Sequence, residues 1–256
     1  SRHFLNSYKT VVSLGIAHHK DFYSQSRNVD LREFRYDCNR HNIFGGSVTF
    51  TGNTLNTIQY PTSGRSETIR AFIGTENDLY RPQNEYSPDY HSIDRSWLQI
   101  EANLEHYFKI GSHLTLGSML EGYYSSRNFT TNYMATVMQA RQFRPTVNSQ
   151  FIFDPDYCAN AYFAAGIKPI FIINSIFHLR SELYYFQPTR PITNVDGKAV
   201  YGKVLGGTQF MGELAFVAKY QKFSFNAFID MSTSNNIPYM MGLTLGILMP
   251  NEWFIE

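Results

Sequence analysis

Residues 239–249, YMMGLTLGILM, alternate two kinds of side chain. Tyr239, Met241, Leu243, Leu245, Ile247 and Met249 are bulky and apolar. Met240, Gly242, Thr244, Gly246 and Leu248 between them are mostly small and all uncharged. Period two is the mark of a β-strand, whose successive side chains point to opposite faces. When one face of a sheet is solvated, its strands carry polar, often charged, residues there. Neither face of this strand is built that way. The chain is thereby restricted to folds in which one face of a sheet meets an apolar medium and the other a crowded interior.

The same alternation recurs through the chain. Val12, Leu14 and Ile16 oppose Ser13, Gly15 and Ala17, and Ile69, Ala71 and Ile73 oppose Thr68, Arg70 and Phe72. Residues 97–109 show it most clearly, with Leu98, Ile100, Ala102, Leu104 and Phe108 against Gln99, Glu101, Asn103, Glu105, Tyr107 and Lys109. Further strands read near 44–52, 114–124, 160–171, 177–186, 210–220 and 223–230. The pattern predicts about ten strands of about 9–12 residues, the length that crosses a bilayer at a tilt. Connections alternate strictly. Short turns fall at 61–64, 109–113, 172–175 and 220–222; long loops fall at 20–41, 76–95, 127–158 and 188–208, with a shorter one at 232–238. Outer-membrane barrels have this rhythm, with short turns on one rim and long loops on the other. A Greek-key sandwich has no reason for it. The sequence therefore predicts an all-β, antiparallel, up-and-down transmembrane β-barrel occupying 1–256 as one unit, in the bacterial outer membrane. Tyr107, Tyr124, Tyr185, Tyr220 and other strand-end aromatics suit interfacial girdles.

Composition narrows the chemistry. Net charge is +1, so the chain lacks the basic footprint of a nucleic-acid binder. Mean hydropathy is −0.30, and no stretch reaches the roughly 18 apolar residues of a membrane helix. Cys38 and Cys158 are too few for a disulfide framework or a metal site, although both fall in long loops where an oxidising compartment allows a bond. His18 and His19 are adjacent on a strand and cannot share a metal; His106 lies on the apolar register. Ser47 in GGSVT lacks the final glycine of a nucleophile elbow, and Asp196-Gly197 reads as a turn. No catalytic residue or cofactor is expected. Glu101, Glu105, Glu121, Lys168, Arg180, Glu182, Glu213 and Lys219 are predicted inward, as a network that holds the lumen's shape or, alternatively, lines a charge-selective path. The first ten residues, SRHFLNSYKT, show no signal-peptide pattern and read as the interior of a longer chain.

Residues 53–64, NTLNTIQYPTSG, resemble a periplasmic-turn segment of the outer-membrane assembly and two-partner secretion barrel superfamily, also called bacterial surface antigen barrels. Pro61, Thr62 and Gly64 match, while Asn56 and Tyr60 replace an Asp and a Phe. Residues 107–146, 159–171 and 179–192 are similar to the C-terminal barrel of Gram-negative patatin-like phospholipases. The resemblance implies a sixteen-stranded barrel of which this chain is the C-terminal part, with Ser1 near the seventh strand. It implies that loop 127–158 folds into the lumen, where Arg144 in the QFRPT tip, or Arg141 just before it, approaches Glu182, Glu121 or Glu101. The parent would then be a lipid acyl hydrolase, its serine and aspartate in a patatin domain outside this chain. The partners implied are outer-membrane lipid or lipopolysaccharide, that patatin domain and the remaining strands. Two rival readings are a stand-alone porin or receptor barrel, with its terminal strands paired to each other, and a soluble all-β binding domain.

Overall fold

The computed structural model describes residues 8–23, 37–81, 91–130, 132–221 and 223–247. Residues 1–7, the side chain of His19, and much of the expected loops 20–41 and 76–95 lie outside the described residues. The protein is all-β, and its ten principal strands form one antiparallel sheet. They are β1 (Tyr8–Tyr23), β2 (Asp37–Asn53), β3 (Gly64–Arg81), β4 (His91–Lys109), β5 (Leu114–Ser125), β8 (Ala161–Ile172), β9 (Phe177–Pro188), β12 (Gln209–Tyr220), β13 (Phe223–Ser232) and β14 (Tyr239–Ile247). Order in the sheet follows order in the chain, so the topology is up-and-down. The loop after β5 carries helix α1 (Tyr133–Gln139) and a small pair, β6 (Arg141–Gln142) and β7 (Cys158–Ala159). The loop after β9 carries the hairpin β10 (Ile192–Val195) and β11 (Lys198–Tyr201). Asp196 and Gly197 form its turn, both at positive φ.

One expectation is corrected. β1 to β4 run 16, 17, 18 and 19 residues, longer than the alternating apolar segments. Their polar extensions, such as DCNRHN and TENDLYR, had read as loop. Among the described residues, moreover, β1 pairs with β2 alone and β14 with β13 alone. Among the described residues the sheet has two open edges, and no pairing joins β14 to β1.

Burial is inverted relative to a soluble sheet. In β13, Ser224, Asn226, Phe228 and Asp230 are buried while Phe223, Phe225, Ile229 and Met231 are exposed. In β9, His178, Arg180, Glu182 and Tyr184 are buried, and Phe177, Leu179 and Leu183 lie outside. Leu243, Leu245 and Ile247 of β14 are 72, 83 and 58% exposed. The sheet's outer face is thus a nearly unbroken field of apolar side chains, and charged groups are gathered within.

The sheet is strongly curled. The turn after β2 sends Tyr60 and Pro61 to the inner faces of β12 and β9, where Lys219 Nζ donates to the Tyr60 carbonyl (2.5 Å) and Arg180 Nη1 to the Pro61 carbonyl (2.9 Å). In a flat sheet, β3 and β12 would stand five strand spacings apart, about 24 Å. The concave face is filled by the loop after β5. Phe143 is fully buried there, stacked on Phe186 and ringed by Tyr157, Tyr162 and Tyr184. Small inner residues make room for this filling. At Gly242 of β14 an added Cβ would come within 2.9 Å of the Phe228 ring.

Candidate functional site

The residues of the inner face surround a polar cavity of about 820 Å³. One side is wall: Glu101, Asn103 and Glu105 of β4, Glu121 of β5, Lys168 of β8, and Arg180 and Glu182 of β9. The other is the loop after β5, with Arg141, Gln142, Arg144 and Pro145. The turn after β2 closes one end with Ile58, Tyr60 and Pro61. Alternation along strands of uniform pairing places these side chains together, because every second residue of each strand shares one face.

Each inward charge predicted from the sequence has a definite place. Arg180 Nε holds Glu182 at 3.0 Å, both nearly inaccessible, and the Tyr184 hydroxyl also donates to Glu182. Lys168 Nζ lies 2.5 Å from Glu105 Oε1, which also accepts from the Tyr107 hydroxyl. Arg141 Nη2 meets Glu101 Oε1 at 2.8 Å, joining the loop to the wall. Arg144 makes no such pair; its Nη2 donates to Gln142 Oε1 at 2.9 Å while the side chain lines the cavity. Glu121 accepts from the Tyr162 hydroxyl and Asn103 Nδ2, and Glu213 from Asn148 Nδ2 at 2.8 Å. Lys219 is directed at the Tyr60 carbonyl rather than at a carboxylate. Among the described residues the cavity offers ion pairs and charges held by neutral hydrogen-bond partners. Ser47 lies in mid-strand on β2, as expected.

A second cluster was missed from the sequence. Toward the long-loop end, His41 of β2, Glu76 and Asp78 of β3 and Arg95 of β4 are buried together. Arg95 Nη2 bonds Asp78 Oδ2 at 2.7 Å, and Asn39 Nδ2 bonds Asp78 Oδ1 at 2.8 Å. Arg127 and Gln139 reach in from the loop after β5: Arg127 Nη2 to Glu76 Oε2 at 2.6 Å, and Gln139 Nε2 to His41 Nε2 at 2.7 Å. His41, Glu76 and Asp78 have a spacing that could hold a cation. Both carboxylates are already engaged by guanidinium groups, so a metal would have to displace them. The cluster is a clasp between loop and wall. The spacings Asn39-x-His41 and Glu76-x-Asp78 were the available signal, had the period-two reading continued past the apolar residues.

The remaining candidates are peripheral. His18 is exposed and paired with Asn42 Oδ1 at 2.6 Å, and the His106 ring packs on Phe108. No disulfide joins Cys38 to Cys158. Burial in the loop raises the Cys158 thiol to about 12, so it stays protonated. Asn56 holds the turn after β2 by accepting from the amides of Thr62 and Ser63. Gly64 there has φ +96, and a Cβ would strike the Thr54 carbonyl oxygen at 2.1 Å, so only glycine fits. In comparisons with known protein families and with curated proteins, the chain matches none.

Proposed function

We propose that this chain is the membrane-embedded part of an outer-membrane β-barrel. By its resemblance it corresponds to the closing strands of the barrel carried by Gram-negative patatin-like phospholipases, and it serves as membrane anchor and translocation unit. The observation that carries the reading is the inverted burial of one continuous antiparallel sheet, with apolar side chains outside and ion pairs inside. Water penalises an exposed apolar field of this extent, whereas hydrocarbon does not. Hydrocarbon does penalise unpaired backbone, by several kcal/mol per group. The two open edges, β1 and β14, therefore favour a larger ring completed by further strands over a self-contained ten-stranded pore. Lipid and lipopolysaccharide would contact the outer face, and hydrolysis would belong to a patatin domain.

Spin labels on cysteines placed at Leu179, Leu214 and Phe216 outside, and at Ala215 and Val217 inside, test the membrane reading in liposomes. The outer labels should be relaxed by oxygen and the inner labels should not, giving a period of two. If the outer labels respond instead to a water-soluble nickel complex, the membrane reading fails. The patatin kinship has its own test: a Gly-x-Ser-x-Gly elbow encoded in the same reading frame, upstream. Its absence would return the choice to a stand-alone barrel.

A further inference from the structure

The turn after β2 is the only connection at the short-turn end that folds back beneath the sheet among the described residues. Its counterparts at 109–113 and 172–175 are tight and largely exposed. In this turn Leu55 and Tyr60 are buried, and Tyr60 is held at φ 52, a left-handed conformation that a tyrosine adopts only under constraint. The constraint comes from across the trough. Lys219 and Arg180 take the carbonyls of consecutive residues, Tyr60 and Pro61. Gln59 extends as far as β14, where its Oε1 lies 2.9 Å from the place a Cβ would occupy on Gly246. Ile58, Tyr60 and Pro61 form one end of the central cavity.

What lies beneath the turn is polar. The Tyr60 hydroxyl faces the Asn226 side chain, and Nδ1 of His178 is buried without a hydrogen-bond partner among the described residues. Buried polar groups are ordinarily satisfied, and each one left unpaired destabilises the closed arrangement. The closed state keeps Tyr60 at positive φ and a buried imidazole nitrogen without a partner among the described residues, and both are relieved if the turn withdraws and water enters. Against these stand two cation-to-carbonyl bonds and the packing of Tyr60 on Ala215, Val217 and Phe228.

We propose that residues 54–63 are a plug for the short-turn mouth of the lumen, latched by Lys219 and Arg180, and that its withdrawal joins the central cavity to the periplasmic side as a polar passage. The proposal rests on the barrel reading and adds a moving part to it. Lys219 is the useful handle, because among the described contacts its Nζ meets a carbonyl and no carboxylate, so removing it orphans no buried acid.

The test is ion conductance in planar bilayers of the complete barrel that carries this chain, comparing the natural sequence with Lys219→Met and with a variant whose residues 58–61 are replaced by glycine and serine. Heat-modifiable electrophoretic mobility serves as the check on folding. The natural protein should be mostly closed. Lys219→Met should raise the open fraction at least about tenfold, Lys219→Arg should restore closure, and replacement of 58–61 should leave the passage persistently open. Equal conductance in all four proteins, each with heat-modifiable mobility, overturns the plug and leaves the barrel standing. Should Lys219→Met misfold, the 58–61 replacement decides alone, since it alters no strand. A natural protein that never inserts into bilayers would instead remove the barrel reading.

Discussion

Charged residues of the inner face differ in what they contribute, and burial decides how much. Arg180 and Glu182 expose 2 and 7% of their side chains, whereas Arg141 and Glu101 expose 43 and 18%. Truncating one member of a buried pair leaves the other uncompensated at low dielectric and costs about 3–5 kcal/mol. An exposed pair is screened by water, and losing it costs about 1 kcal/mol or less. Arg180→Ala should therefore lower the urea midpoint of folding in lipid vesicles substantially, and Arg141→Ala should barely move it. Equal effects would mean that the two pairs see the same solvent. The alternation allowed Arg180, Glu182 and Glu101 to be placed inward, but not to be sorted this way, because burial depends on which loop covers them.

The elements show why a strand can be legible at its centre and obscure at its ends. β4 alternates apolar and polar from Leu98 to Phe108, with its apolar side chains on the exposed outer face there. Before Trp97 the residues are polar except Ile93, the contrast between the faces disappears, and the strand continues unannounced to His91. The clasp of His41, Glu76, Asp78 and Arg95 sits on such extensions, and so it escaped the reading. The small residues of β14, puzzling in isolation, are explained by their neighbours, since Gly242 lies beneath the Phe228 ring. Gly242→Val should press against that ring and destabilise the β13–β14 pairing by about 1–3 kcal/mol, the usual cost of overpacking. Amide hydrogen exchange in β14, faster than in β9 of the same variant, is the expected signature.

At the scale of the whole molecule the two open edges dominate. β1 exposes both faces, with Val11 51% and Val12 72% accessible, as expected of an edge strand paired on one side only among the described residues. Unpaired edges recruit other strands. The 256-residue chain expressed by itself in detergent should associate edge to edge into oligomers, measured as mass by light scattering after subtraction of bound detergent. A stable monomer with steady single-channel conductance would mean instead that β1 and β14 meet, and would favour the self-contained pore.

Period two along the chain determined the strands, the face each residue takes and the up-and-down order, because those follow from local geometry and from hairpin connections. The inward position of Arg180, Glu182 and Glu213 follows from the same rule. Only the tertiary structure decided that the sheet curls with no pairing of β14 to β1 among the described residues, that Arg141 rather than Arg144 reaches Glu101, and that the turn at Tyr60 crosses the trough to Lys219. Those contacts join residues 40 to 159 positions apart in the chain. They depend on the curvature summed over ten paired strands, and no short window of sequence carries that sum.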